Sequence, residues 1–97
     1  MCMPKFIMLS TLGPDGMATL RTHPERLRAV NAEVEAMGVT VEAQYALLGS
    51  YDFLNILDAP DEKTLAKVAV ALGARGTLKT QTLVAIPIED FIDAVKD

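Results

Sequence analysis

The stretch VTVEAQYALLGSYDFLNILD, residues 39–58, decides the fold of this chain. In residues 39–48, apolar and polar side chains alternate, which is typical of a strand with one buried face. Gly49 and Ser50 follow, and a leading glycine suits a two-residue type II′ turn because its φ must be positive. Residues 51–58 are predicted to form the returning strand, so the pattern predicts a β-hairpin of two antiparallel neighbours.

The sequence before this hairpin predicts a strand and helices. Residues 5–12 form a short apolar run, which we interpret as a strand buried on both faces. Residues 14–21 are predicted to form a short helical segment. Thr22 and Glu25 have the spacing of a capping box, which predicts that a longer helix begins there and ends at Gly38.

The sequence after the hairpin predicts three more elements. A helix opens at Pro60 and Asp61 and ends near Gly73, where glycine can terminate a helix. Residues 77–87, rich in Thr, Leu and Val, are predicted to form a last strand. Residues 88–95 are predicted to form a short terminal helix.

The order of these elements is β-α-β-β-α-β with a tail helix, and it predicts an α+β fold of the ferredoxin-like type. We expect one domain over residues 1–97, with a four-stranded antiparallel sheet and helices on one face. The other face then needs a cover, and we place Phe6, Met8, Phe53 and Leu57 there as the oligomer face. Replacing Phe53 by Asp is therefore expected to break the oligomer.

Composition narrows the functional classes. The chain has 97 residues, is 51% hydrophobic and carries a net charge of −4. Binding of nucleic acid is not expected, because a surface that follows phosphates needs clustered positive charge. No apolar run approaches the length of a membrane span, so we expect no membrane association and a cytoplasmic location. We also expect no metal, because the single histidine has no partner at ligand spacing, and no cofactor.

Four residues are candidates for a ligand-binding site, and each also has a structural interpretation. Tyr51 and Asn55 are expected on the same side of one strand, where they would form a polar spot in a small cavity. His23 is either a solvent-facing residue near a helix start or a polar group of that cavity. Arg75 presents a guanidinium to an anion, or else forms an ion pair at the surface or between subunits.

The hairpin motif Gly49-Ser50-Tyr51-Asp52 resembles the Gly-x-Tyr-Asp turn of the GYD domain family. The similarity extends over about 90 residues and includes Pro24-Glu25-Arg26, Met37-Gly38, Asp58-Ala59-Pro60-Asp61, Leu72-Gly73 and Leu78-Lys79-Thr80-Gln81-Thr82-Leu83. The resemblance implies a small bacterial or archaeal protein with a ferredoxin-like, dimeric α+β barrel type of fold. It implies no particular catalytic activity.

These observations favour a homo-oligomeric module that binds a small ligand or a protein partner without catalysing a reaction. Two alternatives remain open. The first is a small cofactor-free enzyme of the dimeric α+β barrel type that acts on a small apolar substrate. The second is a structural subunit of a larger assembly. A cavity onto which Tyr51, Asn55 and His23 converge would favour the enzyme.

Overall fold

The computed structural model describes residues 5–76 and 78–96. Four strands form one antiparallel sheet in the order β2-β3-β1-β4. The elements along the chain are β1 (Lys5–Leu12), α1 (Pro14–Thr22), α2 (Arg26–Ala36), β2 (Thr40–Ala46), β3 (Phe53–Asp58), α3 (Glu62–Gly73), β4 (Leu78–Ala85) and α4 (Ile88–Val95). This order confirms the predicted ferredoxin-like α+β fold.

The hydrophobic core lies between one face of the sheet and the helices α2 and α3. Alternate side chains of β1 and β3 point into it, because successive side chains of a strand face opposite ways. The buried cluster consists of Phe6, Met8, Val34, Val39, Leu57, Ala59, Leu65, Val68 and Leu72. Val34 comes from α2, whereas Leu65, Val68 and Leu72 form the stripe of α3 that covers the sheet.

The prediction that Phe6, Met8, Phe53 and Leu57 form the face away from the helices is wrong. All four are buried within the chain, with 2%, 2%, 8% and 2% of their surface exposed. Their strand neighbours occupy the other face instead, and these are only partly buried. Replacing Phe53 by Asp would therefore place a charge in the core and unfold the protein rather than open an oligomer.

The hairpin between β2 and β3 is wider than predicted. A loop of residues 47–52 joins the two strands, and its ends are joined by a 2.8 Å hydrogen bond from the Leu47 N–H to the Asp52 carbonyl. The prediction of a two-residue turn is wrong, because Asp52 bonds to the end of β1 and does not extend β3. Gly49 has a φ of 136°, as the need for glycine at this position predicts.

The first helical connection also differs from its prediction. The Thr22 hydroxyl donates to the carbonyl of Ala18, 2.6 Å away, within α1. It therefore ends the first helix and does not cap the second, whose N-cap residue Glu25 makes no side-chain capping bond.

The last strand is β4, and Thr77, its predicted first residue, lies outside the described residues.

The N-terminus of α3 is capped by Asp61. Its Oδ1 atom accepts a 2.8 Å hydrogen bond from the Thr64 N–H, one of the helix N–H groups that has no partner within the helix. This hydrogen bond lowers the pKa of the Asp61 carboxyl, with smaller contributions from the Thr64 hydroxyl and from Lys63 and Lys67. The ionised form is therefore favoured in the folded protein.

Replacing Asp61 by Ala is expected to lower the Tm at pH 7, because the Thr64 N–H loses its acceptor. A lowered pKa contributes stability above the unfolded-state pKa of 3.8, and this is lost as the pH falls through the folded-state value. The Tm deficit should therefore shrink in acid. Thermal unfolding followed by circular dichroism from pH 7 to pH 2.5 measures it, with Asp61→Asn as a capping control. A deficit that is independent of pH would contradict this account.

Candidate functional site

A cavity of about 270 Å³ lies between the sheet and the helices, and we call it the helix-side cavity. β1, β2, β3 and β4 supply its floor, and α1, α2 and α3 supply its roof. Its walls are largely aliphatic, with Leu27 and Val30 of α2 facing Met8, Val41 and Leu57 of the sheet. A concave, mostly apolar space with a few polar groups is the usual form of a small-molecule site.

Polar side chains from the sheet face this cavity. Ser10 of β1 is buried, with 6% of its surface exposed, and its Cα is paired with those of Phe53 and Thr80. Asn55 of β3 also lines the cavity, and its Oδ1 atom is buried. No group among the described residues donates a hydrogen bond to that atom. A buried acceptor without a donor is costly, so Asn55 needs an explanation.

A second pair of polar side chains joins the helices to the sheet. Asn31 of α2 donates a 2.8 Å hydrogen bond from Nδ2 to Oε1 of Gln44 in β2. Both residues line the helix-side cavity, and each satisfies a hydrogen-bonding atom of the other. This bond therefore positions α2 over the sheet.

Two arginines line the cavity, Arg26 at the start of α2 and Arg75 just after α3. Arg75 forms an ion pair with Glu33 of α2, which links the ends of the two helices. Arg75 thus forms an ion pair at the surface of its own chain, which is one of the two kinds of ion pair predicted for it. The structure therefore brings Arg75 and Asn55 to one cavity.

Tyr51 does not join that cavity, so the expected pairing of Tyr51 with Asn55 is wrong. The Tyr51 hydroxyl bonds to Oε1 of Gln81 in β4 at 2.5 Å, on the face of the sheet away from the helices. The irregular backbone at Asp52 breaks the alternation that would have placed Tyr51 and Asn55 on one side.

His23 lies in the connection between α1 and α2 and is exposed. Its Nδ1 atom is 3.4 Å from Oε1 of Glu25, two residues further along the chain. It does not line the helix-side cavity. The geometry therefore does not assemble the polar trio that would have favoured an enzyme.

Asp52 attaches the hairpin loop to the end of β1. Its Oδ2 atom accepts a 2.7 Å hydrogen bond from the Leu12 N–H, and its own N–H donates to the Ser10 carbonyl at 2.8 Å. Its carbonyl accepts from Leu47. The Asp52 side chain therefore has a structural role in this motif, because its carboxylate accepts the Leu12 N–H and attaches the loop to β1.

Replacing Asp52 by Ala is expected to lower the free energy of unfolding by about 1.5–3 kcal/mol, because the Leu12 N–H loses a charged acceptor. Asp52→Asn keeps an acceptor oxygen of the same size and should lose less. Urea denaturation of both variants measures the difference. Equal stability of Asp52→Ala and the unmodified protein would contradict the role of this bond.

The face of the sheet away from the helices is apolar in its middle, and we call it the open face. Ile7, Leu9, Leu54 and Ile56 lie there, because they alternate with the core residues of β1 and β3. They are partly buried by one another, while Tyr45 on β2 and Leu83 on β4 are exposed by 57% and 42%. Large contiguous apolar patches on protein surfaces mark interaction sites, so the open face is a candidate for one.

Charges lie at both ends of the open face. At one end, Lys5 Nζ contacts Glu42 Oε1 at 2.5 Å and Asp58 Oδ1 at 3.2 Å, which leaves one net negative charge. The bond to Glu42 raises the pKa of Lys5, and the Asp58 contact adds to it. The pKa of Asp58 is lowered, with the neighbouring Glu42 side chain as the largest cause and Lys5 as the next. At the other end lies the exposed Lys79, paired in register with Thr11.

The terminal helix α4 carries a second apolar surface, which we call the α4 stripe. It consists of Ile88, Phe91, Ile92 and Val95, whose spacing places them on one side of a helix. All four are exposed, by 66%, 47%, 40% and 63%. A helix of eight residues is marginal in water, so its stability depends on the packing of its apolar side chains.

Of the four residues that the sequence offered, Asn55 and Arg75 line the helix-side cavity, whereas Arg26 and the α4 stripe were not predicted. The spacing of Ile88, Phe91 and Ile92 is visible in the sequence and could have indicated an amphipathic helix. Arg26 gives no such signal, because only the fold places the start of α2 over the sheet.

Among residues 5–76 and 78–96, no three His, Cys, Asp or Glu side chains are grouped so that they could hold a metal ion. None of the helices in these described ranges is long and apolar enough to cross a membrane.

The fold places the chain in the class of ferredoxin-like α+β domains. Two solved structures share this fold. MtbAldR aligns with a TM-score of 0.66 and 19% identity, and the Mycobacterium tuberculosis leucine response regulatory protein with 0.52 and 16%. Each alignment covers 87% of this chain, which spans 52% and 51% of the length of those chains.

Within that class, the chain belongs to the GYD domain family, whose family model matches residues 6–95. A Thermus thermophilus protein named "Glutamine synthetase and cystathionine beta-lyase binding protein" is 52% identical to it over 95 residues. The alignment covers 97% of this chain and 100% of that relative.

Proposed function

We propose that this chain is a one-domain, homo-oligomeric, non-catalytic protein-binding module of the cytoplasm. Its partners, on this proposal, are metabolic enzymes of the kinds named for its relative, glutamine synthetase and cystathionine β-lyase. The observation that carries the proposal is the apolar surface presented by the open face and the α4 stripe. The full-length similarity to a protein named for binding two enzymes supports it.

Self-association uses the open face in this proposal. The apolar middle supplies the buried area, and the two charged ends supply orientation. In this arrangement a second copy packs sheet to sheet, with its strands antiparallel to those of the first copy. Lys79 of each copy then faces the acidic end of the other, which is formed by Lys5, Glu42 and Asp58. Opposite charges at the rim of an apolar interface select one orientation over others.

Enzyme binding uses the α4 stripe. Glu89 and Asp90 lie in the first turn of α4, where negative charge stabilises a helix, and the apolar side chains occupy its other side. An amphipathic helix that lays its apolar side in a groove is a common mode of protein recognition. Because the stripe and the open face lie on different elements, the two interactions can be separated by mutation.

Biolayer interferometry on immobilised glutamine synthetase from the same organism tests the proposal. We expect the chain to bind with a Kd in the micromolar range or tighter, as is usual for a small specific interface. Phe91→Asp should abolish this binding, because it places a charge in the α4 stripe. Val70→Asp is the matched control, since Val70 is 71% exposed on α3 and belongs to neither surface.

Two results would count against this proposal. Absence of binding to both glutamine synthetase and cystathionine β-lyase would remove the enzyme-binding function. Equal loss of binding in Phe91→Asp and Val70→Asp would remove the role of the α4 stripe.

A second candidate function is the binding of a small ligand. The helix-side cavity favours it, because Asn55 lines this cavity and carries a buried acceptor that no described group satisfies. This function is compatible with protein binding, since the cavity lies on the helix side of the sheet and the open face lies on the other.

A further inference from the structure

We propose that the helix-side cavity binds a small aliphatic carboxylate that carries a hydrogen-bond donor, such as a hydroxyl group, close to its carboxylate. The inference deepens the second candidate function and rests on it, because it assigns the site and the chemical class of the ligand. It is independent of enzyme binding by the α4 stripe.

The volume of the cavity sets the size of the ligand. The cavity has a volume of about 270 Å³. Sites for drug-sized ligands have volumes of about 300–1,000 Å³. The space therefore suits a small metabolite.

The walls determine that most of the ligand is apolar. Leu27, Val30 and Val34 of α2 face Met8 and Leu57 of the sheet across the cavity. A branched aliphatic group packs well against such walls, and its burial there is favourable because apolar surface leaves water and an empty space is filled.

Asn55 determines where the ligand carries a donor. Its buried Oδ1 atom accepts no hydrogen bond from the described residues and lies in a side chain that lines the cavity. A ligand hydroxyl would supply the donor once the Asn55 side-chain amide turns toward the cavity, and this bond would remove the cost of the unsatisfied acceptor. Ser10, buried on the adjacent strand, lies on the same face of the sheet.

The two arginines determine the charge of the ligand. Arg26 and Arg75 are the only ionisable residues among the described side chains that line the cavity, although the chain as a whole carries a net charge of −4. Arg75 is already paired with Glu33, whereas the ion pairs among residues 5–76 and 78–96 do not include Arg26. A guanidinium binds a carboxylate through two parallel hydrogen bonds, so Arg26 is assigned the ligand carboxylate.

Three probe molecules separate these requirements. 2-Hydroxyisocaproate has the branched body, the hydroxyl and the carboxylate. Isocaproate lacks the hydroxyl, and 2-hydroxyisocaproamide lacks the charge. Each is titrated to about 10 mM into the full chain labelled with ¹⁵N, and amide and side-chain NMR shifts give the Kd and the site.

The expected result is that 2-hydroxyisocaproate binds and shifts the signals of the residues that line the cavity, including the Asn55 side-chain amide. It should bind about fivefold more tightly than isocaproate and at least tenfold more tightly than the amide. Asn55→Leu keeps the size of the side chain and removes the acceptor, so the advantage over isocaproate should disappear.

Arg26→Gln should weaken 2-hydroxyisocaproate binding at least tenfold. Arg28→Gln is the matched control, because Arg28 lies on the same helix, is exposed and does not line the cavity. The spectrum of each variant without probe reports whether it is folded.

The inference is overturned if no probe shifts the signals of the cavity, or if the shifts map to another surface. It is also overturned if the amide binds as tightly as the acid, or if Arg28→Gln weakens binding as much as Arg26→Gln. Enzyme binding by the same samples, measured by interferometry, is a separate readout. Failure of this proposal and failure of the protein-binding function are therefore distinguishable.

Discussion

Phe6→Ala is expected to lower the free energy of unfolding by about 3–5 kcal/mol, as is typical when a buried aromatic side chain is truncated in a core. Phe6 is only 2% exposed, and it packs in the buried cluster with residues of α2, α3 and β3. The total stability of a small domain is about 5–15 kcal/mol, so this one change removes a large part of it.

Urea denaturation followed by circular dichroism measures the effect, and Val70→Ala serves as the control. Val70 is 71% exposed on the outer side of α3, so its truncation should change the free energy of unfolding by less than about 0.5 kcal/mol. If Phe6→Ala is as stable as Val70→Ala, Phe6 does not lie under the helices and the described orientation of the sheet is wrong.

If the chain self-associates through the open face as proposed, Ile56→Asp is expected to leave it monomeric while the domain stays folded. Ile56 lies in the middle of the open face, where its neighbours in register are Ile7 on β1 and Ala43 on β2. A carboxylate there would be buried without a partner once two open faces meet, and an unpaired buried charge is strongly unfavourable. Within a monomer the same carboxylate remains in contact with water.

Sedimentation velocity at matched protein concentrations gives the oligomeric state of Ile56→Asp. Val70→Asp introduces the same charge on α3 and should keep the oligomer of the unmodified protein. Lys79→Glu should weaken self-association less than Ile56→Asp does, because Lys79 lies at the rim of the open face. The effect of Lys79→Glu should be larger at low salt, where charges are screened less. An Ile56→Asp protein that is folded and still oligomeric would exclude the open face as the self-interface.

The element order could be predicted from the sequence because each element has a local cause. Alternation predicts β2, and the apolar residues after Gly49 and Ser50 predict the returning strand β3. Asp61 marks the start of α3, and the bounds of α4 agree with the predicted residues 88–95. The side of the sheet that the helices cover has no such local cause. In β1 both sets of alternate residues are mostly apolar, with Phe6 and Met8 on one face and Ile7 and Leu9 on the other. A shift of one residue exchanges the faces, and the pattern cannot choose between them.

Some features of the candidate site also have a local cause in the sequence, whereas others depend on the packing of the whole fold. Asn55 could be found because a polar residue interrupts an apolar strand, and it lines the helix-side cavity. Tyr51 was wrongly grouped with it, since the bonds of Asp52 to β1 change the path of the chain just before β3. Arg26 and Arg75 meet at the cavity only through the packing of α2 and α3, which sequence spacing does not encode.

The separation of surfaces gives the proposed module a simple organisation. The helix side of the sheet holds the core and the cavity, the opposite side is the open face, and α4 carries its own stripe. A ligand in the cavity would contact α2 directly through Leu27 and Val30, without occupying either of the two surfaces proposed to bind proteins.

Native mass spectrometry of the chain mixed with glutamine synthetase from the same organism tests the central claim most directly, because one spectrum reports both self-association and enzyme binding. We predict masses at whole multiples of the 10.5 kDa chain, and glutamine synthetase assemblies that carry additional copies of it. A spectrum with only the monomeric chain and unchanged glutamine synthetase would contradict the account of the chain as a self-associating, enzyme-binding module.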